Sequence, residues 1–215
     1  MPRVIYGFHP VEAALRRHRE QVKGIFLSGR GRAGQVRDLA EGAGVLVQEA
    51  PVAELDALCD GAAHQGVVAL LGGYPYVSLE ELLESREPPP LLVFMDGVKD
   101  PQNLGSIFRS ALLLGATGLV IPKDRAAGVT PAVVRVSAGA TEHLPCARVT
   151  NLARALEQAK AQGLWVAGSV VEGGQDPAKL DLTGPLALVL GSEQKGIRPG
   201  VLKACDLKIT LPTIP

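Results

Sequence analysis

"LLVFMDGVKDPQNLGSIFRSALLLGATGLVIP", residues 91–122, decides the fold. Leu91–Asp96 and Gly118–Pro122 are short apolar runs without polar alternation, the pattern of strands covered on both faces. Between them, from Asn103 to Ala116, the apolar residues follow a helical period, so the stretch reads as strand, helix, strand with the strands parallel. Asn103 is placed as the helix N-cap, where its side-chain oxygen can accept a free N–H of the first turn. Arg109 follows six residues on, among Ile107, Phe108, Leu112 and Leu113. A charge buried there is costly, so the arginine must reach an acid such as Asp96 or Asp100, a phosphate, or a cleft.

The same alternation continues to the C-terminus. "EHLPCARV", "LWVAGSVV", "LALVLG" and "LKITLP" read as strands, while "TPAVVRVSAGA", "NLARALEQAKAQG" and the turn-rich "GIRPGVLKACD" lie between them. The expectation is an α/β fold with an open, doubly wound parallel sheet whose ligand sits beyond the carboxyl ends of the strands. Residues 1–72 form a smaller α/β module of their own: strands "VIYG", "VKGIFLS", "VLVQEA" and "QGVVALLGG", with helices "HPVEAALRRH", "AGQVRDLAEGAG" and "PVAELDALCD" between them. Residues 73–90, ending in the stiff Pro88–Pro90, read as a linker, and 91–215 as the second domain.

The 215 residues carry zero formal net charge, which alone speaks against a nucleic-acid binder, but the charge is unevenly spread. Residues 1–37 hold eight basic side chains against two acids, and residues 38–87 hold ten acids against Arg86. A local basic face can bind phosphates even on a neutral molecule, which makes Arg16, Arg17, Arg30 and Arg32 candidate RNA contacts. His64, in the turn "GAAHQG", joins them if it is exposed. Cys59, Cys146 and Cys205 have neither zinc nor disulfide spacing. No metal is expected, and neither is a membrane segment, since no apolar run reaches the ~20 residues needed to span a bilayer. A cytoplasmic protein is the expectation.

Two further strand ends look chemical. "LALVLGSEQKGIRPG", residues 186–200, ends a strand in glycine and a polar tip. Its G-x-x-x-x-G spacing lacks the Lys-Ser/Thr of a phosphate loop, and no dinucleotide fingerprint follows any strand. "DLKITLPTIP" ends the sequence on a strand with no covering helix after it.

Together, "DGVKDPQNLGSIFRSALLLGATGLVIP", "LALVLGSEQKGI" and "ITLP" resemble the three motifs of the SpoU/TrmH family of RNA ribose 2′-O-methyltransferases. The N-terminal module resembles the ribosomal-protein-like RNA-binding domain of its RlmB-like members. The resemblance implies a C-terminal trefoil knot in the parallel sheet, a homodimer, S-adenosylmethionine as methyl donor and RNA, ribosomal for preference, as substrate. By motif match it puts catalysis on Asn103, Arg109 and Glu193, and the cofactor beside Gly191, Ser192, Ile209, Leu211 and Pro212. Two departures stand out. Gln194 occupies a position that is usually glycine, and the third motif stops at Thr213, Ile214 and Pro215, so a truncated motif and an incomplete knot are expected. The alternatives are an RNA-binding protein of this fold without catalysis, or a transfer-RNA or antibiotic-resistance enzyme of the same family.

Overall fold

The computed structural model describes residues 3–29, 32–84 and 89–212. The first unit comprises residues up to Pro75 together with 105–109 and 129–143. Its strands and helices run β1 (Arg3–Tyr6), α1 (Phe8–Arg17), β2 (Val22–Leu27), α2 (Ala33–Gly42), β3 (Val47–Glu49), α3 (Val52–Leu58) and β4 (Val67–Leu71). The sheet order is β1-β4-β2-β3, with β4 antiparallel to both neighbours and β2 parallel to β3. "VVALL" suits β4, the most deeply buried of these strands. Leu55, Cys59 and Val68 form an apolar cluster against which Tyr6 and Phe26 pack.

Arg3, counted above with the basic residues, is not on a surface. It is 3% exposed, and its Nη1 and Nη2 donate to the buried Glu142 carboxylate at 2.6 and 3.2 Å. Thr141 Oγ1 donates to the same carboxylate, and Tyr74 OH donates to the Thr141 carbonyl. A buried charge needs such a partner, because desolvation otherwise costs more than attraction returns.

The second unit holds α4 (Leu79–Glu84), β5 (Leu91–Asp96), both ends of α5 (Pro101–Leu113), and β6 (Gly118–Pro122). After α6 (Pro131–Val136), which packs in the first unit, it continues with β7 (Cys146–Val149), α7 (Leu152–Ala161), β8 (Trp165–Ser169), β9 (Leu186–Gly191), α8 (Pro199–Leu202) and β10 (Leu207–Ile209). All six strands are parallel, in the order β10-β8-β9-β5-β6-β7. This is the doubly wound sheet expected from the apolar runs. The chain leaves β5 toward β6 on one side, and β9 toward β10 on the other. The β5–β9 boundary is therefore the topological switch point, where the loops diverge and leave a crevice at the carboxyl ends.

Several local readings are corrected. Asp100, not Asn103, caps α5: its carboxylate accepts from Gln102 N at 2.9 Å, and Pro101 occupies the first helical position. Aspartate caps as well as asparagine, and proline fixes the entry angle, so Asn103 falls inside the first turn. The stretch read as a linker contains α4. Ser78 and Glu81 form a reciprocal capping box there, and Leu79, Leu82 and Leu83 enter the core of the second unit. The helix read over 130–140 ends at Val136, where Ala138 and Gly139 turn left-handed, and β7 begins only at Cys146. Gly105 lets α5 lie against α6: a Cβ there would stand 2.6 Å from Val136 Cβ and 2.9 Å from the Val133 carbonyl.

Candidate active site

A cleft of about 380 Å³ opens at the β5–β9 switch point, lined by Gly97, Lys99, Asp100 and Asn103 from the β5–α5 side and by Ser192, Glu193, Gln194 and Lys195 after β9. Asn103 Nδ2 donates a hydrogen bond to Glu193 Oε1. Residues 90 positions apart thus meet because their strands are neighbours. The Glu193 carboxyl titrates below the ordinary glutamate range. Its own main-chain N–H is the first cause and the Asn103 amide the second, because both donate to the charged form.

Arg109 does not line this cleft. It lies on the exposed side of α5 with Ser106 and Ser110, while Leu104, Phe108 and Ala111 form the buried side. The burial expected for it is therefore absent; the helix is amphipathic and the arginine sits on its wet face. Among the described residues it forms no ion pair with an acidic side chain. Asp96, one of the two acids considered for it, is taken by Arg198: Oδ2 accepts from Arg198 N and Oδ1 from Nε, both at 2.7 Å, and Nη2 stands 2.6 Å from Oδ1 in the ion pair. Asp100 is occupied by its cap.

The loop after β9 closes on itself. Ser192 and Gly196 exchange main-chain hydrogen bonds at 3.1 and 2.9 Å, and Lys195 N donates to Ser192 Oγ. Gly191 has no room for a side chain, since a Cβ would lie 2.1 Å from Gly196 C and 2.3 Å from Ile197 N. The positive φ in the loop, 61°, falls on Gly196, and Gln194 is not left-handed. Glutamine at 194 is therefore compatible with the turn.

The residues singled out for a cofactor are divided. Ser192 lines the cleft and Gly191 precedes it. Ile209 is buried at the end of β10, and Leu211 and Pro212 are exposed just beyond it. β8 separates β10 from β9 in the sheet, so Gly191 and Leu211 are not strand neighbours. Ile209 pairs with Ser169, and Val171 and Leu211 are both strongly exposed, at 87% and 66%. Two apolar side chains thus stand in water past the carboxyl ends of adjacent strands.

Three features carry no signal in the sequence: Lys99, Lys195 and the Asp96–Arg198 pair. A second cleft of about 180 Å³ beside the first is lined by these residues with Arg125, Asp124 and Pro122. Lysines in loops carry no periodic signal, and only the sheet order brings them together.

Of the basic candidates, Arg16, Arg17 and Arg32 are exposed. Arg16 pairs with Glu12 one turn back at 3.1 Å, and Arg30 lies outside the described residues. His64 is not exposed: it is 7% accessible, Nδ1 accepts from Gly66 N at 3.0 Å, and Nε2 lies 3.1 Å from Asp56 Oδ1. It holds its own turn. Burial pushes the Cys59 and Cys205 thiols up to about 11, which leaves them poor nucleophiles. Among the described residues, no three metal-ligating side chains gather and no helix is long and apolar enough to cross a membrane.

The model of the SpoU rRNA Methylase family matches residues 90–215. The chain belongs to that family. A second family model, RNA 2′-O ribose methyltransferase substrate binding, matches residues 4–77. The 23S rRNA (guanosine-2′-O-)-methyltransferase RlmB of Pseudomonas putida is 45% identical over 97% of this chain and 86% of that protein. The SpoU methyltransferase AviRb of Streptomyces viridochromogenes, solved with AdoMet, superposes with a TM-score of 0.84 at 25% identity, over 100% of this chain and 82% of that one. An AdoMet-bound rRNA methyltransferase from Sinorhizobium meliloti shares the fold, with a TM-score of 0.84 at 23% identity over 100% and 79% of the two chains.

The SpoU family implies S-adenosylmethionine, and the residues here fit that group. The exposed Val171 and Leu211 offer apolar surface for an adenine ring, and the tight Ser192–Gly196 loop, flanked by Gly191 and closed by Gly196, presents side-chain-free backbone at the switch point.

Proposed function

We infer that the chain transfers a methyl group from S-adenosylmethionine to the ribose 2′-hydroxyl of a nucleotide in ribosomal RNA, with large-subunit RNA as the favoured target. The observation that carries this is the Asn103–Glu193 hydrogen bond, which joins the first two motifs of the SpoU family at the ligand-bearing edge of the sheet. When bound, the cofactor supplies an electrophilic methyl carbon. The protein must orient the hydroxyl toward it and stabilise the oxygen as its proton leaves. Asn103 spends one carboxylate oxygen of Glu193, and the other is left to accept from the ribose. Arg109 does not line the cleft, and in this reading it acts on the bound RNA as a cation, clamping the adjacent phosphate and stabilising developing negative charge. Lys99 and Lys195 supply further charge for the RNA backbone at the cleft mouth.

The basic side chains of α1, Arg16 and Arg17, contact RNA phosphates in this reading, and Arg32 also meets the RNA. The domains divide as 1–72 for RNA binding and 91–215 for methyl transfer, and residues 73–90 between them include α4, which belongs to the second unit. The neighbouring exposed leucines Leu113 and Leu114, at 76% and 78% exposure, are covered by a second copy in a homodimer. The protein acts in the cytoplasm, where ribosomal RNA is available to it.

The test is methylation of 23S ribosomal RNA with a labelled donor. A 2′-O-methylated linkage resists alkaline cleavage, because the attacking 2′-oxygen is blocked. Label confined to one alkali-resistant dinucleotide supports the reading, and label on a base or no label refutes it. An RNA-binding role without catalysis gains no support from a site in which Asn103 and Glu193 already meet.

A further inference from the structure

A separate pocket lies in the first unit, away from the switch-point loops in sequence. It encloses about 330 Å³ and is lined by Phe8, His9, Arg32 and Gln65, within the range typical of small-ligand sites, roughly 300 to 1,000 Å³. Its parts are planar or hydrogen-bonding. The Arg32 guanidinium lies over the Phe8 ring at 4.9 Å, and its outer face is open to solvent. The His9 ring meets Phe8 edge-on, at 5.1 Å and 80°, and its side chain is 71% exposed.

Gln65 sits in the left-handed region at φ 55°, unusual for a residue other than glycine. Its neighbours enforce this. The His64 ring accepts from Gly66 N on one side and reaches Asp56 on the other, and Gly66 itself is left-handed at φ 80°. The Gln65 amide oxygen comes within 3.8 Å of where a Cβ would stand on Gly7, so the side chain folds toward the start of α1. Strain held this firmly by surrounding bonds points to a function for the strained residue.

We propose that Phe8, His9, Arg32 and Gln65 form a seat for one unpaired RNA nucleobase, stacked on the Arg32–Phe8 pair and hydrogen-bonded on its edge by the Gln65 amide. A planar cation backed by an aromatic ring is a stacking platform that tolerates any base, and a glutamine amide pairs a donor and an acceptor with a base edge. A duplex hides both features of a base, so the occupant is single-stranded. This rests on the reading of RNA as substrate and adds where, outside the methyl-transfer cleft, the RNA is read.

The experiment is a fluorescence titration of the full chain with a short single-stranded oligoadenylate carrying 2-aminopurine, alongside an abasic strand of equal length. Arg32→Ala and Gln65→Gly are compared with the parent. Glycine accepts the left-handed backbone, so that variant keeps the fold. The expected result is tighter parental binding to the base-bearing strand, and a loss of about tenfold on that strand alone in each variant. Equal losses on both strands would make Arg32 a phosphate contact and overturn the seat while leaving RNA binding standing. Unchanged affinity in Gln65→Gly would also overturn it. Parental binding to neither strand overturns the seat, and the ribosomal RNA methylation assay then reports separately on the substrate.

Discussion

The carboxylate of Asp96 is fully buried and receives two hydrogen bonds from one residue, Arg198, one from the guanidinium Nε and one from the main-chain N–H, with Nη2 completing the ion pair. It ties the end of β5 to the segment that follows the Ser192–Gly196 loop. Arg198→Ala would leave a buried carboxylate without its countercharge, at a cost of about 3 kcal/mol. Chemical denaturation should show that loss, and calorimetry should show weaker S-adenosylmethionine binding, since the loop loses its anchor. Lysine at 198 should recover only part of both, because it cannot offer the forked pair of donors.

Arg109 is exposed and unpaired with acids among the described residues, so its replacement should not disturb folding. Arg109→Ala is expected to keep the parental melting temperature and donor affinity while methyl transfer falls by about 100-fold or more. Arg109→Lys separates charge from geometry: activity between those of the alanine variant and the parent would support a clamping cation. A lysine variant as fast as the parent would overturn the forked clamp and leave charge alone as the requirement, and an alanine variant as fast as the parent would remove Arg109 from the mechanism.

Gly191→Ala places a methyl group about 2 Å from the Gly196–Ile197 backbone, where no flexible side chain can yield. The loop must move, and both stability and donor binding should fall together. Gln194→Gly, by contrast, should leave melting temperature and affinity near parental values, because position 194 is not left-handed. A Gly191→Ala protein with parental stability would show that the loop is looser than its hydrogen bonds imply.

The Glu193 carboxyl is held below its ordinary value of 4.5 by its own N–H and by Asn103. A group depressed in the folded state contributes stability that is present above the unfolded value and is lost as pH falls through the folded one. The contact should therefore persist throughout the neutral range, and the rate of methyl transfer should show no inflection from Glu193 there. Below pH 4.5 the parent should lose stability more steeply than Glu193→Gln. Parallel curves would show that the carboxylate gains nothing from the contact.

What could be read in advance followed the strength of the local signal. β5, β6 and β9 are uninterrupted apolar runs, and a chain that must bury both faces of a strand has few other ways to write one. α4 is hidden in the sequence although "SLEE" is a capping box, because the prolines downstream carry the stronger signal of an extended spacer. Asn103 has the chemistry of a cap, but Asp100 three residues earlier already fills that role. His64 reads in sequence as an RNA contact, whereas its burial and two ring contacts make it the brace of a turn, and the residue that turn presents is Gln65.

The sequence by itself determined the strand–helix alternation, the parallel sheet and, through motif resemblance, the family and its three catalytic candidates, because apolar periodicity and short polar motifs are local properties of a chain. Only the tertiary structure decided that Asn103 meets Glu193, that Asp96 belongs to Arg198, that Arg3 is buried against Glu142, and that Phe8, His9, Arg32 and Gln65 share a pocket. Those pairings depend on strand order and on which face of an element is covered. Residues 90 or 139 positions apart come within hydrogen-bond reach only once the sheet has fixed their neighbours.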